Sequence, residues 1–155
     1  MANLIGLYSL IFGLCFSFFI FYFSIKNFRN SDNFDNKIIF FTFLQFIFVV
    51  VSFLGLVLSF VNSDFSNETV FNHSHTTKPM FYKISGTWGN HEGSLLLWLL
   101  VLSIFLFIFL LNSKSQDTKY KLLTVLFQQI IISGFLVFIL LTSNPFKTLY
   151  PVPTE

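Results

Sequence analysis

Charge is scarce in this chain. Asp, Glu, Lys and Arg make up 10% of its 155 residues, and Arg occurs once. A soluble domain carries roughly 25% charge, so this sequence cannot clothe a water-facing surface, and it belongs to the membrane class. Cysteine is nearly absent too. The single Cys15 excludes an internal disulfide and any cysteine-only metal or redox motif. It lies in an apolar run and reads as a small buried hydrophobe. A net charge of +2 excludes a strongly basic nucleic-acid surface. No phosphate-binding glycine loop, nucleophile triad or carboxylate pair occurs, so no catalytic residue and no metal site is assigned. The first apolar run is too long for a signal-peptide core and has no basic segment before it, so it reads as a first membrane helix.

What is present is hydrocarbon. Phe occurs 25 times and 54% of the residues are hydrophobic. The bias towards Phe, Ile, Asn and Lys points to an A/T-rich coding sequence, bacterial or organellar. Residues 4–25, 38–60, 95–111 and 122–141 contain no Asp, Glu, Lys, Arg or His. A membrane helix needs about 20 apolar residues. The third run has only 17, roughly 25 Å of helix against a hydrocarbon core of about 30 Å. Starting that helix at Trp88 removes the shortfall. The sequence therefore predicts an all-α integral membrane protein in one domain. Its helices are expected at about 4–25, 38–60, 88–111 and 122–141, with an outer loop over 61–87. Lys26, Arg29 and Lys37 lie in the first short loop, and Lys114, Lys119 and Lys121 in the last. Lys78, Lys83 and Lys147 are all that the other side carries. Basic loops stay inside, so both termini and the 61–87 loop are expected on the periplasmic or intermembrane-space side.

The stretch Thr87 to Ser94, TWGNHEGS, breaks the apolar monotony. On a helix turning about 100° per residue, Trp88, His91, Glu92 and Trp98 share one face. Gly86, Gly89 and Gly93 share another, where a second helix would approach closely. Two readings of His91 and Glu92 stand at this point. They are functional groups, as ionisable residues in membrane segments often are. Or they are the polar start of a helix, with Glu92 favoured by the helix dipole. His73 and His75 would share one side of an extended strand, but no third ligand completes a metal site. Gln45, Gln128 and Gln129 are the strongest polar groups inside the runs, and they read as hydrogen-bonding between helices.

Residues 88–98, WGNHEGSLLLW, resemble the CcmF family of cytochrome c maturation proteins, the membrane subunit of the bacterial-type haem lyase. VNSDFS (61–66), MFYKISGTWGNHEGSLLLW (80–98) and SGFLVFILLTSNPF (133–146) resemble family segments in the same order and spacing. The resemblance covers the N-terminal part of a CcmF only, and it implies a split version of the kind found in mitochondria. It implies a component of a multi-chain cytochrome c haem lyase, non-catalytic alone, in the mitochondrial inner membrane or a bacterial inner membrane. Haem would be bound by the assembled complex, with its ligands outside this chain. Trp88, His91, Glu92 and Trp98 would line the haem-side vestibule. The implied partners are the rest of the CcmF-type protein as separate chains, other cytochrome c maturation proteins, apocytochrome c and membrane lipid. The alternative is an accessory structural subunit of a larger respiratory complex, with no haem role.

Overall fold

The computed structural model describes residues 1–30 and 34–153; residues 31–33 of the first short loop and 154–155 lie outside it. The described residues form six helices: α1 (Ala2–Asn30), α2 (Asn36–Val61), α3 (Glu68–His73), α4 (Met80–Gly86), α5 (His91–Asn112) and α6 (Thr118–Leu141). Four of them, α1, α2, α5 and α6, are long and apolar enough to cross a membrane. The expected all-α class and its four candidate membrane helices are thus present.

The helix starts are written in side-chain oxygens. Asp35 accepts from the Lys37 amide, Asn90 from that of Gly93, and Asp117 from those of Lys119 and Tyr120. Each satisfies backbone donors that the first turn leaves unpaired. At its far end α6 stops before Pro145, which has no N–H to continue a helix.

The long helices form a closed ring. α1 packs on α2 and α6, and α5 packs on the same two. Leu10, Ile20, Val49, Leu56, Leu96, Leu99, Ile132 and Leu136 fill the interior, each fully buried. Phe41 of α2 stacks on Phe19 and Phe23 of α1, with centroids 5.1 and 5.5 Å away. Near the start of α1, its backbone meets that of α2 almost directly. A Cβ at Gly55 would lie 3.3 Å from the Ala2 carbonyl oxygen and 3.4 Å from the Gly6 Cα. A Cβ at Gly6 would lie 2.3 Å from the Phe146 ring. These glycines, not those of the TWGNHEGS stretch, make the closest helix–helix contact.

Inside the ring sits a polar knot. Gln45 of α2 donates to Ser17 Oγ at 2.6 Å and to the Gly13 carbonyl at 3.2 Å. Gln129 of α6 donates to the same Ser17 Oγ at 2.8 Å. All three side chains are at most 1% exposed. Gln128 reaches the Leu102 carbonyl of α5 at 3.4 Å. The three glutamines thus bond between helices, as their residue type suggests. Lipid offers no hydrophobic drive for helix association, so such bonds and close packing hold the ring.

One end of the ring holds the start of α1, the end of α2, the start of α5 and the end of α6. Ser59 bonds Asn3 at 3.0 Å and Ser143 faces His91 at 3.2 Å. α3 and α4 also lie here. The opposite end carries six of the nine Lys and Arg residues. There Lys121 sits 5.0 Å from the Phe34 ring centroid and Lys37 5.3 Å from that of Phe23.

Four expectations change. α1 runs through Lys26 and Arg29 to Asn30, because long basic side chains extend out of the apolar layer while their backbone stays helical. α5 begins at His91, not Trp88, because Asn90 caps it in an extended conformation (φ −127°, ψ 169°). Its 22 residues still span about 33 Å, because His91–Ser94 and Asn112 extend the apolar run at its two ends. The 61–87 connection is not a plain loop but carries α3 and α4. Cys15 is exposed on the outward side of α1 and not buried.

The knot yields a prediction. Ser17→Ala strands the buried Gln129 amide and leaves that of Gln45 only the Gly13 carbonyl, and it is expected to cost about 2 kcal/mol, a fall of several degrees in the thermal midpoint in detergent. Adding Gln45→Met and Gln129→Met should restore most of the loss, because an all-apolar contact of similar shape leaves nothing unpaired. A midpoint unmoved by Ser17→Ala would refute the knot.

Candidate functional site

The site begins where α2 ends. Ser63 takes a left-handed turn (φ 52°), and Lys83 of α4 donates to its hydroxyl at 2.6 Å. Four residues later Asn67, fully buried, opens α3. Its Oδ1 accepts from the amides of Thr69 (2.8 Å) and Val70 (3.2 Å). Its Nδ2 donates to Asn3 Oδ1 at 2.7 Å and to the Pro145 carbonyl at 2.9 Å. One carboxamide thus joins α1, α3 and the segment after α6. That segment then pairs with the chain beside Asn67: Glu68 N donates to the Lys147 carbonyl and Leu149 N to that of Ser66. Lys147 also meets the Glu68 carboxylate at 2.8 Å.

The turn from α4 to α5 is built around Asn90. Its amide donates to the Gly86 and Thr87 carbonyls at 2.8 and 3.3 Å. Its carbonyl accepts the Gly93 N–H at 2.7 Å. The chain folds back so tightly that a Cβ at Gly93 would lie 1.6 Å from the Thr87 carbonyl oxygen. Gly93 therefore faces its own preceding turn. Gly86 backs onto the Phe60 ring of α2, where a Cβ would lie 3.3 Å away. Gly89 lies in the turn, beside the Ser85 carbonyl. The three glycines do not form one face of one helix, because the extended Asn90 breaks the helical phase between them.

The same break separates the other residues. Trp88 is in the turn, 42% exposed, while Trp98 lies seven residues along α5, 61% exposed. That places Trp98 about 10 Å along the helix from His91. His91 is exposed, and its Nε2 lies 3.2 Å from Ser143 Oγ. Glu92 turns into a small polar cavity of about 130 Å³, shared with Glu68, His73, Ser143 and Lys147. His91 and Glu92 thus both meet the end of α6, but through different groups. Reading from sequence found this pair but not Asn67, Glu68, Ser143 or Lys147. The signal for Asn67 was there: Asn before Glu-Thr-Val is a helix-cap pattern.

Among the described residues no group of three His, Cys, Asp or Glu is placed to hold a metal. His73 Nδ1 faces the Thr69 carbonyl at 3.0 Å, and His75 Nδ1 faces Thr77 Oγ1 at 2.9 Å. Nor does the polar cavity beside Glu92 have room for a haem. The polar cavity at this end is about 130 Å³, well below the roughly 300 Å³ at which small-molecule pockets begin.

The arrangement is shared with known proteins. A cytochrome c-type biogenesis protein CycK of Rhizobium meliloti is 46% identical over 110 residues, covering 71% of this chain and 16% of the relative. The biogenesis protein ccl1 of Rhodobacter capsulatus is 43% identical over 109 residues, covering 70% and 17%. CcmF of Escherichia coli is 40% identical over 116 residues, covering 74% and 18%. The chain is a homologue of the CcmF-type cytochrome c biogenesis proteins. The match covers their N-terminal part. A solved structure, cytochrome c heme lyase CcmF, superposes with a TM-score of 0.87 over 97% of this chain and 26% of its own, at 22% identity. The four-helix ring with its two short helices is therefore the fold of that part of CcmF. The chain spans about one sixth of the length of the curated relatives it matches. No protein-family profile matches it.

Gly93→Ala tests the α4–α5 turn of this CcmF-type unit. The methyl has no room beside Thr87, so the expected loss is about 3 kcal/mol, the upper range for overpacking. Asn90→Ala, which removes a cap, should cost about 1 kcal/mol. Thermal unfolding in detergent measures both, and a Gly93→Ala effect smaller than that of Asn90→Ala would contradict this geometry.

Proposed function

We propose that this chain is the N-terminal component of a multi-chain cytochrome c haem lyase, working with the remaining part of a CcmF-type protein as a separate chain. The observation that carries this reading is the identity of 40–46% with proteins of cytochrome c biogenesis. The chain contributes four membrane helices and one structured end. Covalent haem attachment to apocytochrome c belongs to the assembled complex, together with the other maturation proteins. Haem ligation falls to parts outside this chain.

The basic end faces the matrix or cytoplasm, following the rule that Lys and Arg stay inside. The α3/α4 end then faces the intermembrane space or periplasm, and a mitochondrial inner membrane suits the Phe-rich composition. At that outer end Trp88, His91, Glu92 and Trp98 stand at the rim of the haem-side vestibule. Trp88 and Trp98 are exposed apolar surface for a haem edge or a partner helix. Glu92 and His91 set the polarity of the rim without closing on the group themselves.

Two measurements test this. Purified in mild detergent, the chain should bring with it the rest of a CcmF-type protein and a haem absorption band. A combined Trp88→Ala, His91→Ala and Glu92→Gln change should lower c-type cytochrome content while the complex still assembles. Normal cytochrome c with that triple change, together with co-purification of respiratory subunits and no haem, would support an accessory structural subunit instead.

A further inference from the structure

Every glycine of this chain but one is filled. Gly6, Gly55, Gly86 and Gly93 each meet a carbonyl, a ring or a backbone atom where a Cβ would go, Gly89 abuts Ser85, and Gly13 touches Leu136 and Val49. Gly134, in the middle of a membrane helix, has no atom within 4 Å of that position. Glycine inside a helix is unfavourable relative to alanine, and within this chain nothing is gained for it. The Ser133 hydroxyl has no hydrogen-bond partner, a state it shares with those of Ser24, Thr42 and Ser52 among the described residues. Gly134 and Ser133 open an apolar groove of about 470 Å³ on α6, flanked by Val137, Phe138 and Leu141.

The other outward faces are different. α1 presents Phe12, Phe18 and Phe19, and α5 presents Phe105, all at least 49% exposed. Bulky side chains face lipid well, whereas membrane helices approach each other over small residues, with serine hydroxyls bonding across the contact. The solved CcmF relative shows what is available to fill such a groove: this chain matches 26% of it, and the rest of that fold must pack on this unit.

We infer that the Gly134 groove of α6 is the docking seat for a transmembrane helix from the part of the CcmF fold that this chain does not contain. The inference rests on the CcmF-type reading above and adds where the two parts meet. The incoming helix brings a small residue opposite Gly134.

The test uses membranes in which the complete complex is expressed. A photo-crosslinking amino acid replaces Phe138 in the groove, or Phe105 on α5 as the control. The expected result is one protein crosslink from position 138, mapped by mass spectrometry to a membrane helix of the CcmF-type partner, and lipid adducts from 105. Gly134→Leu should lower the 138 crosslink about tenfold or more, as loss of one close helix contact does to an association equilibrium. The same change should leave the thermal midpoint of the purified chain equal or higher, since nothing inside the chain is displaced. Lipid adducts alone at 138, a crosslink to a second copy of this chain, or a crosslink indifferent to Gly134→Leu each overturn the docking seat. If the CcmF-type partner still co-purifies in those cases, the proposed function stands and only the seat is wrong. If no such partner is found and 138 crosslinks a respiratory subunit, the proposed function falls with it.

Discussion

The carboxamide of Asn67 is the point on which the α3/α4 end of the molecule depends. Its four bonds go to the first turn of α1, the first turn of α3 and the chain just beyond α6. A buried amide can make about four such bonds, and here all are used. Because Asn67 is fully buried, no water replaces a lost partner, so each bond is worth close to the full penalty of leaving a group unpaired. The consequence is geometric. With Pro145 held at Asn67, Phe146 is carried into the gap over Gly6, beside the place where α1 and α2 approach to backbone distance at Gly55. Closing the ring at this end therefore needs a residue from the first helix, one from the loop and one from the tail together.

The helices themselves were open to reading from sequence, for a simple reason. A membrane span is specified by length and hydropathy alone, and both are local. Their ends were harder. α5 was expected from Trp88 because 17 apolar residues are too few, but the missing length lies in polar residues at both termini, His91 to Ser94 and Asn112. Asn90 decides the start, and its role depends on accepting the Gly93 N–H, a bond visible in sequence as Asn three residues before a small residue. α3 and α4 escaped notice because six or seven residues cannot show a period, and isolated helices of that length are not stable. They form here because Val70 and Thr69 are buried and Lys83 is tethered to Ser63.

The candidate site was half readable. Composition drew attention to His91 and Glu92 because ionisable residues are rare in this chain. Their partners could not be found that way. Ser143 and Lys147 lie about 50 residues further on, and only the antiparallel return of α6 brings them back. The wheel drawn from Trp88 grouped residues that the fold separates, since a wheel assumes one continuous helix and Asn90 interrupts it. The glycines were likewise noticed for closeness, and Gly86 does meet another helix at the Phe60 ring of α2, while Gly89 and Gly93 meet their own chain. Gly93 is close to its own turn, and Gly6 and Gly55 hold the interhelical contact.

Taken together, the small residues separate what this chain completes from what it leaves open. Where a glycine is filled, the chain supplies both sides of the contact and the contact is rigid. The α4–α5 turn is of this kind, so His91 and Glu92 are presented from a fixed platform, not from a mobile loop. Where a glycine is unfilled, one side of the contact is missing. A closely packed α3/α4 end and an incomplete α6 flank are what a unit needs if it is to present a polar rim at one place while being held in the membrane at another. The two features are also physically independent. The rim depends on Asn67 and Asn90 at the end of the ring, and the groove on a glycine within α6. A change at Gly134 can therefore remove an assembly contact and leave the rim intact, which is why the two roles can be measured apart.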